Sequence, residues 1–168
     1  SSPTVLIPEA NFYSRPQGRS LLFGIREANS VFCDLRILPK EIGGYQFSRD
    51  NGWQDLIESF DKVVPFFPQF GNTPIKNYVA GFSAYTPDNM FVAGEVSGTE
   101  GLFIATGCVG AGISVAGGIG LGMANIAAGK ANPFDFSQYQ VSRFGTFNPY
   151  SKEHLSRCAE TRSKKIFG

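Results

Sequence analysis

The sequence is poor in the side chains that most often carry acid–base or metal chemistry. It has one histidine, His154, and three cysteines, Cys33, Cys108 and Cys158, which are far apart in the chain. None of these residues has the spacing of a metal-ligand motif, so we expect no metal site. No nucleophile stands beside a candidate base, and the catalytic residues therefore stay unknown. The small, odd number of cysteines favours a reducing compartment, and a cytoplasmic protein is expected.

Charged residues are also scarce and almost balanced. Lysine and arginine number 15 against 14 aspartate and glutamate, and charged residues make up 17% of the chain. A nucleic-acid-binding domain normally has a strongly basic face, which this composition does not supply. Basic residues cluster only near the end, in "RSKKIFG". A solvated helix end that complements its own dipole explains this cluster, so we expect no nucleic-acid partner.

Long uninterrupted hydrophobic runs are missing. The most apolar window, residues 102–128, is broken repeatedly by glycine. This content is poor for a transmembrane helix, and "SSPTVLIPEANF" lacks the charged and apolar regions of a signal peptide. We therefore expect no membrane partner. The chain instead has 16 phenylalanines and 42% hydrophobic residues, which predict a sizeable core or an aromatic pocket or interface.

The spacing of apolar residues predicts a mixed α/β chain. A turn around Pro16 and Gly18 precedes a strand and predicts a hairpin, and two short strands are expected around the turn "TPDN". The segment "LFIAT" is typical of a buried strand. The other expected elements are a strand at 20–28, a strand or loop at 31–38, a polar connection at 39–50, and helices at 53–67, 114–128 and 152–164. Prolines end the first helix and Gly129 ends the second.

A strand that passes through a glycine turn into a helix is suited to holding an electron-rich group. The N–H groups at a helix start are unpaired and carry partial positive charge, and glycine lets a ligand approach the backbone closely. The stretch "GCVGAG" at residues 107–112 is nevertheless not the dinucleotide motif G-x-G-x-x-G, and no acidic residue follows at the ribose-binding distance. Close helix packing through small residues explains the glycines equally well.

Several segments, in their order, resemble a known family. They are "FYSRPQGRSLLFG", "FPQFGNTPIKNYVAG", "GFSAYTPDNMFVAG", "GLFIATGCVGAGISVAGGIG" and "ANPFDFSQYQVSRFG". Together they are similar to the C-terminal half of FAD-dependent amine oxidoreductases of the D-amino-acid-oxidase superfamily. The likeness is greatest to the sarcosine and dimethylglycine dehydrogenase branch, and it covers nearly the whole chain.

The resemblance implies a fold and a division into domains. Residues 1–80 would form part of a substrate-binding domain, an antiparallel sheet with a covering helix. Residues 81–145 would supply the C-terminal strand and helix of a Rossmann-like FAD-binding domain, and residues 146–168 a tail helix. The family carries its G-x-G-x-x-G motif near the N-terminus, and this chain has none. The implied partner is therefore an N-terminal half of the flavoenzyme, in the same polypeptide or in a separate chain.

The resemblance also implies FAD as the cofactor and assigns roles to particular residues. The glycine loop and the helix start would face the flavin ring and stabilise negative charge that develops on it. Ser83 stands where amino-acid oxidases of the superfamily often carry an arginine, which puts an ordinary amino-acid substrate in doubt. Leu22 stands near the flavin-facing lysine of monomeric sarcosine oxidases, which favours a dehydrogenase. The implied cofactor-binding residues are Phe82, Ser83, Gly107, Cys108, Val109, Gly110, Ala111, Gly112 and Ile113.

Tyr13 and Arg15 lie on the hairpin that roofs the substrate pocket in this family. They are the candidate contacts to a substrate carboxylate, and a surface arginine beside a turn is an equal alternative for Arg15. Asp88 is interpreted as a turn former rather than an acid or base.

The resemblance implies oxidation of the C–N bond of a secondary or tertiary amine by hydride transfer to flavin. The expected substrate is a small N-methylated amino acid such as sarcosine or dimethylglycine. This chain alone would be an incomplete enzyme, located in the mitochondrial matrix if the source is eukaryotic. The alternative is a non-catalytic regulatory or interaction protein that retains the fold of the flavoenzyme.

Overall fold

The computed structural model describes residues 3–30, 32–37, 49–77 and 81–165, and for residues 49–53 it describes the backbone only. The chain divides into two compact units. The first comprises Ser1–Ser30 and Leu35–Gly81, and the second comprises Val31–Asp34 and Phe82–Gly168. Both units combine antiparallel strands with helices, so the predicted mixed α/β class is confirmed.

The first unit contains a three-stranded antiparallel sheet in the order β1 (Val5–Ile7), β2 (Phe12–Gln17) and β3 (Ser20–Ile25). β2 and β3 form the predicted hairpin, with Gln17 opposite Ser20. The tight connection begins with Gly18 at a φ of +60°, a conformation that glycine adopts without strain. The strand β3 ends three residues earlier than predicted.

Phenylalanine rings build the core of this unit. Ile7, Ala10, Phe12 and Val63 are buried together, with Phe23 and other rings packed against them. The ring of Phe23 stacks on Phe12 at a centroid distance of 5.9 Å and meets the edges of its other ring neighbours at 5.3 to 5.5 Å. These offset and edge-to-face arrangements are the ones that aromatic quadrupoles favour, so part of the unusual phenylalanine content is explained by this core.

Helix α1 spans Arg49–Val63, so the predicted bounds of residues 53–67 are wrong at both ends. The helix ends before Pro65 because proline lacks an N–H group and disfavours helical geometry in the residue before it. Upstream of α1, Leu35–Ile37 forms a short 3-10 turn, which fits the loop alternative and not the strand. Most of the expected connection at residues 39–50 lies outside the described residues.

The second unit contains a two-stranded antiparallel sheet of β4 (Val92–Glu95) and β5 (Phe103–Thr106). The turn "TPDN" therefore has a strand after it but none at residues 81–86, which corrects the predicted pair of strands. The carbonyl of Ala84 instead accepts a hydrogen bond from the N–H of Val109 at 3.0 Å. β5 also differs from the expected buried strand, since Ala105 and Thr106 are exposed in a sheet of two strands.

Helix α2 spans Gly112–Ala127 and starts two residues before the predicted start. Gly129 follows its end with a φ of +63°, as predicted for a glycine that stops a helix. Helix α3 spans Lys152–Lys164, as predicted, and Ser151 caps its start by accepting from the N–H of His154 at 3.2 Å. Within the described ranges, no helix combines the length and the apolar character needed to cross a bilayer.

An ion pair ties the turn at residues 86–89 to the later part of the second unit. Arg143 contacts both carboxylate oxygens of Asp88, at 2.7 and 3.1 Å, and donates to the carbonyl of Met90 at 2.8 Å. The N–H of Met90 donates to Asp88 at 3.1 Å, which is the turn-forming role expected for this aspartate. Burial would raise the pKa of Asp88, but the bonds from Arg143 and Met90 outweigh it and hold the pKa below its usual value.

We predict that Asp88→Asn lowers the free energy of unfolding by about 1 to 3 kcal/mol near neutral pH. A carboxyl whose pKa is lowered on folding stabilises the fold above its unfolded pKa of about 3.9, and that contribution disappears as the pH falls through the folded value. The difference between the wild type and the variant should therefore stay constant above about pH 5 and shrink below about pH 4. Denaturant unfolding across a pH series measures it. The exposed Asp61→Asn is the control, and a difference that grows in acid would contradict the prediction.

Candidate functional site

A concave pocket lies where β5 passes into α2. Its volume is about 860 Å³, within the range of small-molecule sites. All nine residues that the sequence analysis assigned to the cofactor line this one pocket, although the pocket by itself does not identify its ligand. The lining residues are Phe82, Ser83, Ala84, Ala105, Thr106, Gly107, Cys108, Val109, Gly110, Ala111, Gly112, Ile113 and Ser114.

The loop between the strand and the helix is folded by left-handed residues. Gly107, Val109 and Gly110 have φ angles of +62°, +46° and +82°. Glycine tolerates this region, but a β-branched residue such as Val109 is a true outlier there and is strained by about 1 to 3 kcal/mol. Val109 is also buried, with 6% of its surface exposed. The surrounding structure must therefore hold this loop in place.

The start of α2 presents backbone donors to the pocket. Ala111 occupies the capping position and no side chain caps the helix. The hydroxyl of Ser114 donates to the carbonyl of Ala111 at 2.8 Å, so it does not satisfy the N–H groups of the first turn. These N–H groups have no partner within a helix and carry partial positive charge. An electron-rich group in the pocket would meet hydrogen-bond donors on this side.

The space around each glycine distinguishes the two explanations of the glycine stretch, close helix packing and a ligand site. It is judged by what an added Cβ would contact. A Cβ at Gly122 would lie 2.2 Å from the ring of Phe136, so close packing through a small residue does occur there. A Cβ at Gly107 would lie 2.9 Å from the methyl group of Thr86, at the floor of the pocket. At Gly117, Gly118 and Gly120 a Cβ would meet nothing within 4 Å in the described structure. Helix packing and pocket shape thus use different glycines.

The pocket wall lacks acid–base chemistry. Among the described residues that line it, none has a charged or imidazole side chain. No group of His, Cys, Asp and Glu in the described part of the chain could hold a metal ion. The wall can orient a ligand and donate hydrogen bonds, and the reactive chemistry at such a site belongs to what is bound in it.

The predicted substrate contacts lie in the other unit of the chain. Tyr13 and Arg15 are alternate residues of β2, so both lie on the exposed face of the sheet. The ring of Tyr13 covers Gly24, where a Cβ would lie 2.3 Å from the ring. Arg15 donates to the side chain of Gln17 at 2.7 Å. The structure therefore does not group these two residues with the nine pocket residues.

Sequence reasoning missed part of the pocket's support. It interpreted the basic cluster at residues 162–168 as a solvated helix end. Lys164 fits that interpretation, since it is exposed and pairs with Glu160 at 2.6 Å. Lys165 does not, because its ammonium donates to the carbonyl of Val109 in the loop. Residues 166–168 of the cluster lie outside the described residues. The sequence holds no signal for this contact, since the two adjacent lysines differ only in their tertiary surroundings.

We predict that Gly107→Ala destabilises the protein by about 1 to 3 kcal/mol. The backbone at position 107 is left-handed, which a residue with a Cβ disfavours, and the new Cβ would also displace the methyl group of Thr86. The matched control is Gly118→Ala, in open space inside α2, which should stabilise the protein by about 0.5 to 1 kcal/mol. Urea unfolding of both variants measures the difference. Equal effects of the two substitutions would show that the loop does not need glycine at position 107.

Known proteins resemble this chain over most of its length. A family model described as FAD dependent oxidoreductase, DAO, matches residues 2–126. Human mitochondrial sarcosine dehydrogenase is 30% identical over 142 residues, which cover 84% of this chain and 15% of the relative. Mouse mitochondrial dimethylglycine dehydrogenase is 27% identical over 165 residues, covering 95% of this chain and 18% of the relative.

A third relative, the formaldehyde-forming 4-methylaminobutanoate oxidase of Paenarthrobacter nicotinovorans, is 27% identical over 134 residues, covering 80% of this chain and 16% of the relative. The chain thus spans between 15% and 18% of the length of these curated relatives. The family match covers well over half of the sequence, and on that basis the chain belongs to the DAO family of FAD-dependent oxidoreductases.

Proposed function

We propose that this chain is part of an FAD-dependent enzyme that oxidises the C–N bond of a secondary or tertiary amine. The substrate is a small N-methylated amino acid such as sarcosine or dimethylglycine. The observation that carries the proposal is the pocket between β5 and α2, whose wall is a glycine loop and an uncapped helix start. The names of the relatives, two of which are dehydrogenases of N-methylated glycines, support the substrate class.

The residues of the pocket fit the family's cofactor. There is no room for a Cβ at Gly107, so glycine at this position lets the loop pack closely against Thr86. Gly110 is exposed at the surface of the pocket. The volume of about 860 Å³ admits the flat ring of a flavin. Backbone N–H groups at the start of α2 would hold its electron-rich edge. When FAD is bound, the flavin supplies the acceptor for a hydride from the substrate.

The chain's own residues would contribute orientation and electrostatics. The N–H groups of Val109 and Ala111 donate within the protein, to the carbonyls of Ala84 and Cys108, and they fix the loop. The N–H dipoles of Gly110 and of the first turn of α2 then need no reorganisation when negative charge develops near them. Phe82 and Ser83 would contribute to the same wall. Loss of the hydride from the carbon next to nitrogen leaves an iminium, which water then hydrolyses. Neither step needs a charged residue from this wall.

The proposal includes an N-terminal half that carries the G-x-G-x-x-G motif, in the same polypeptide or in a separate chain. Glycine-rich turns of that type hold the pyrophosphate of a dinucleotide, and no such motif is present in these 168 residues. Residues 1–80 would belong to the substrate-binding domain and residues 81–145 to the FAD-binding domain, followed by the tail helix. The mitochondrial relatives support a matrix location in a eukaryotic cell.

We predict that the natively purified polypeptide containing this sequence carries flavin, and that sarcosine or dimethylglycine added without oxygen bleaches the visible flavin band. Glycine betaine is the matched control. It keeps the N-methyl groups and the carboxylate but has no nitrogen lone pair to form an iminium, so it should leave the band unchanged. A colourless polypeptide would favour the regulatory alternative. A flavoprotein that neither amine bleaches would exclude this substrate class.

We predict that Arg15→Met raises KM for the N-methylated amino acid about ten- to a hundredfold and leaves kcat within about threefold. This is the loss of one charge-assisted hydrogen bond made equally in the ground and transition states. Arg19→Met, at the exposed turn of the same hairpin, is the control and should change neither parameter. Steady-state kinetics with an artificial electron acceptor measures both variants. An unchanged KM in Arg15→Met would leave Arg15 as a surface residue.

A further inference from the structure

Three side chains at and just after the end of α3 contact the pocket loop or the segment next to the pocket. The hydroxyl of Thr161 shares its hydrogen between the carbonyl of Arg157 in its own helix, at 2.9 Å, and that of Pro87, at 3.1 Å. The guanidinium of Arg162 lies 5.6 Å from the ring centroid of Tyr85, which follows the pocket residues 82–84. The ammonium of Lys165 lies 5.9 Å from the same ring and donates to the carbonyl of Val109. Of these contacts, that of Lys165 falls on a pocket residue, and the other two fall on residues that follow the pocket residues 82–84.

Val109 is the residue of the loop that most needs such support. Its φ of +46° is unfavourable for a β-branched side chain, and such a conformation persists only where neighbouring groups fix it. Both of its backbone polar atoms have partners. Its N–H donates to the carbonyl of Ala84 at 3.0 Å, and its carbonyl accepts from Lys165. The two bonds hold the strained residue from opposite ends.

The bond from Lys165 also determines the direction of a donor. The carbonyl of Val109 and the N–H of Gly110 belong to one planar peptide group, and the described chain has no cis peptide bond. In a trans peptide these two atoms point in opposite directions. Fixing the carbonyl toward Lys165 therefore turns the N–H of Gly110 away from Lys165, and Gly110 lines the pocket. The cation also polarises the peptide, which makes this N–H a stronger donor.

We propose that Lys165 is a positioning residue of the pocket, which fixes the Val109–Gly110 peptide so that the N–H of Gly110 serves as a preorganised donor to an electron-rich ring. The inference rests on the proposed function, because the ring is that of the family's flavin. Lys165 acts through the backbone of the loop and touches no reacting atom. It is half-buried, and its neighbour Lys164 is exposed and turned to Glu160.

The test compares the flavin of the purified holoprotein in Lys165→Met, Lys165→Arg and Lys164→Met. The readouts are the flavin content, the position of the visible band, and the reduction potential measured against a dye couple. Lys165→Met should shift the equilibrium between reduced and oxidised flavin about tenfold toward the oxidised form, which is a decrease of about 30 mV for a two-electron couple. Lys165→Arg should retain most of the wild-type potential, and Lys164→Met all of it. A merely structural contact would change stability without changing the potential.

Repeating Lys165→Met in the Val109→Gly variant distinguishes an effect through the position of the peptide from a direct effect of the lysine's charge. In Val109→Gly the left-handed backbone is no longer strained, so the loop depends less on Lys165 and the shift caused by Lys165→Met should fall to about threefold or less. An undiminished shift in Val109→Gly would assign the effect to the distant charge and overturn the positioning role. A wild-type protein without flavin would overturn the proposed function together with this inference. A flavoprotein whose potential is the same in Lys165→Met and the wild type would overturn the inference alone.

Discussion

The backbone of Val109 is held in a left-handed conformation that its side chain disfavours, and the form of the pocket depends on it. The loop has to leave the end of β5, turn sharply, and enter α2 with its first N–H groups facing outward. Gly107 and Gly110 make two of these turns without strain, and Val109 makes the third at a cost. The burial of Val109 and its two hydrogen bonds offset that cost. This explains why a buried valine can stand between two glycines in a loop of left-handed residues.

The supports of this loop come from distant parts of the second unit. The turn at residues 86–89 supplies the methyl group of Thr86 beneath Gly107, and the turn is itself fixed by the ion pair of Asp88 with Arg143. The tail helix then bonds to the same turn through Thr161 and to the loop through Lys165. A pocket wall without charged side chains among its described residues is thus supported by residues remote in sequence, such as Lys165, 56 positions from Val109.

Local patterns predicted the elements that local physics determines. Helix α3 has the predicted bounds and α2 starts only two residues early, because capping and helical periodicity are encoded within each segment. The failure at residues 81–86 involves a partner that is remote in sequence, whereas the failure at the end of helix α1 is local. Residues 81–86 have strand-like composition, but their backbone bonds to the loop at Val109 instead of to a neighbouring strand. Helix α1 ends at Val63 rather than residue 67 because the effect of Pro65 extends to the residues before it.

In the candidate site, too, some residues could be predicted from the sequence and others could not. Motif resemblance selected nine residues that do line one pocket, while their role toward a cofactor stays a prediction. The contact of Lys165 with Val109 spans 56 residues, and nothing in the composition of "RSKK" distinguishes a lysine that bonds to a loop from one that faces water. Only the path of α3 across the unit makes that distinction, and the path follows from tertiary contacts such as the bond from Thr161 to Pro87.

A wall of neutral N–H dipoles suits chemistry in which charge appears only during the reaction. Oriented amides at Gly110 and at the start of α2 interact weakly with a neutral ring and strongly with one that gains negative charge. Placing Lys165 behind the peptide rather than in the pocket gives the amide of Gly110 part of the effect of the cation while the pocket stays free of fixed charge. The described wall of the pocket has no charged side chain, and the donors that it offers belong to the backbone.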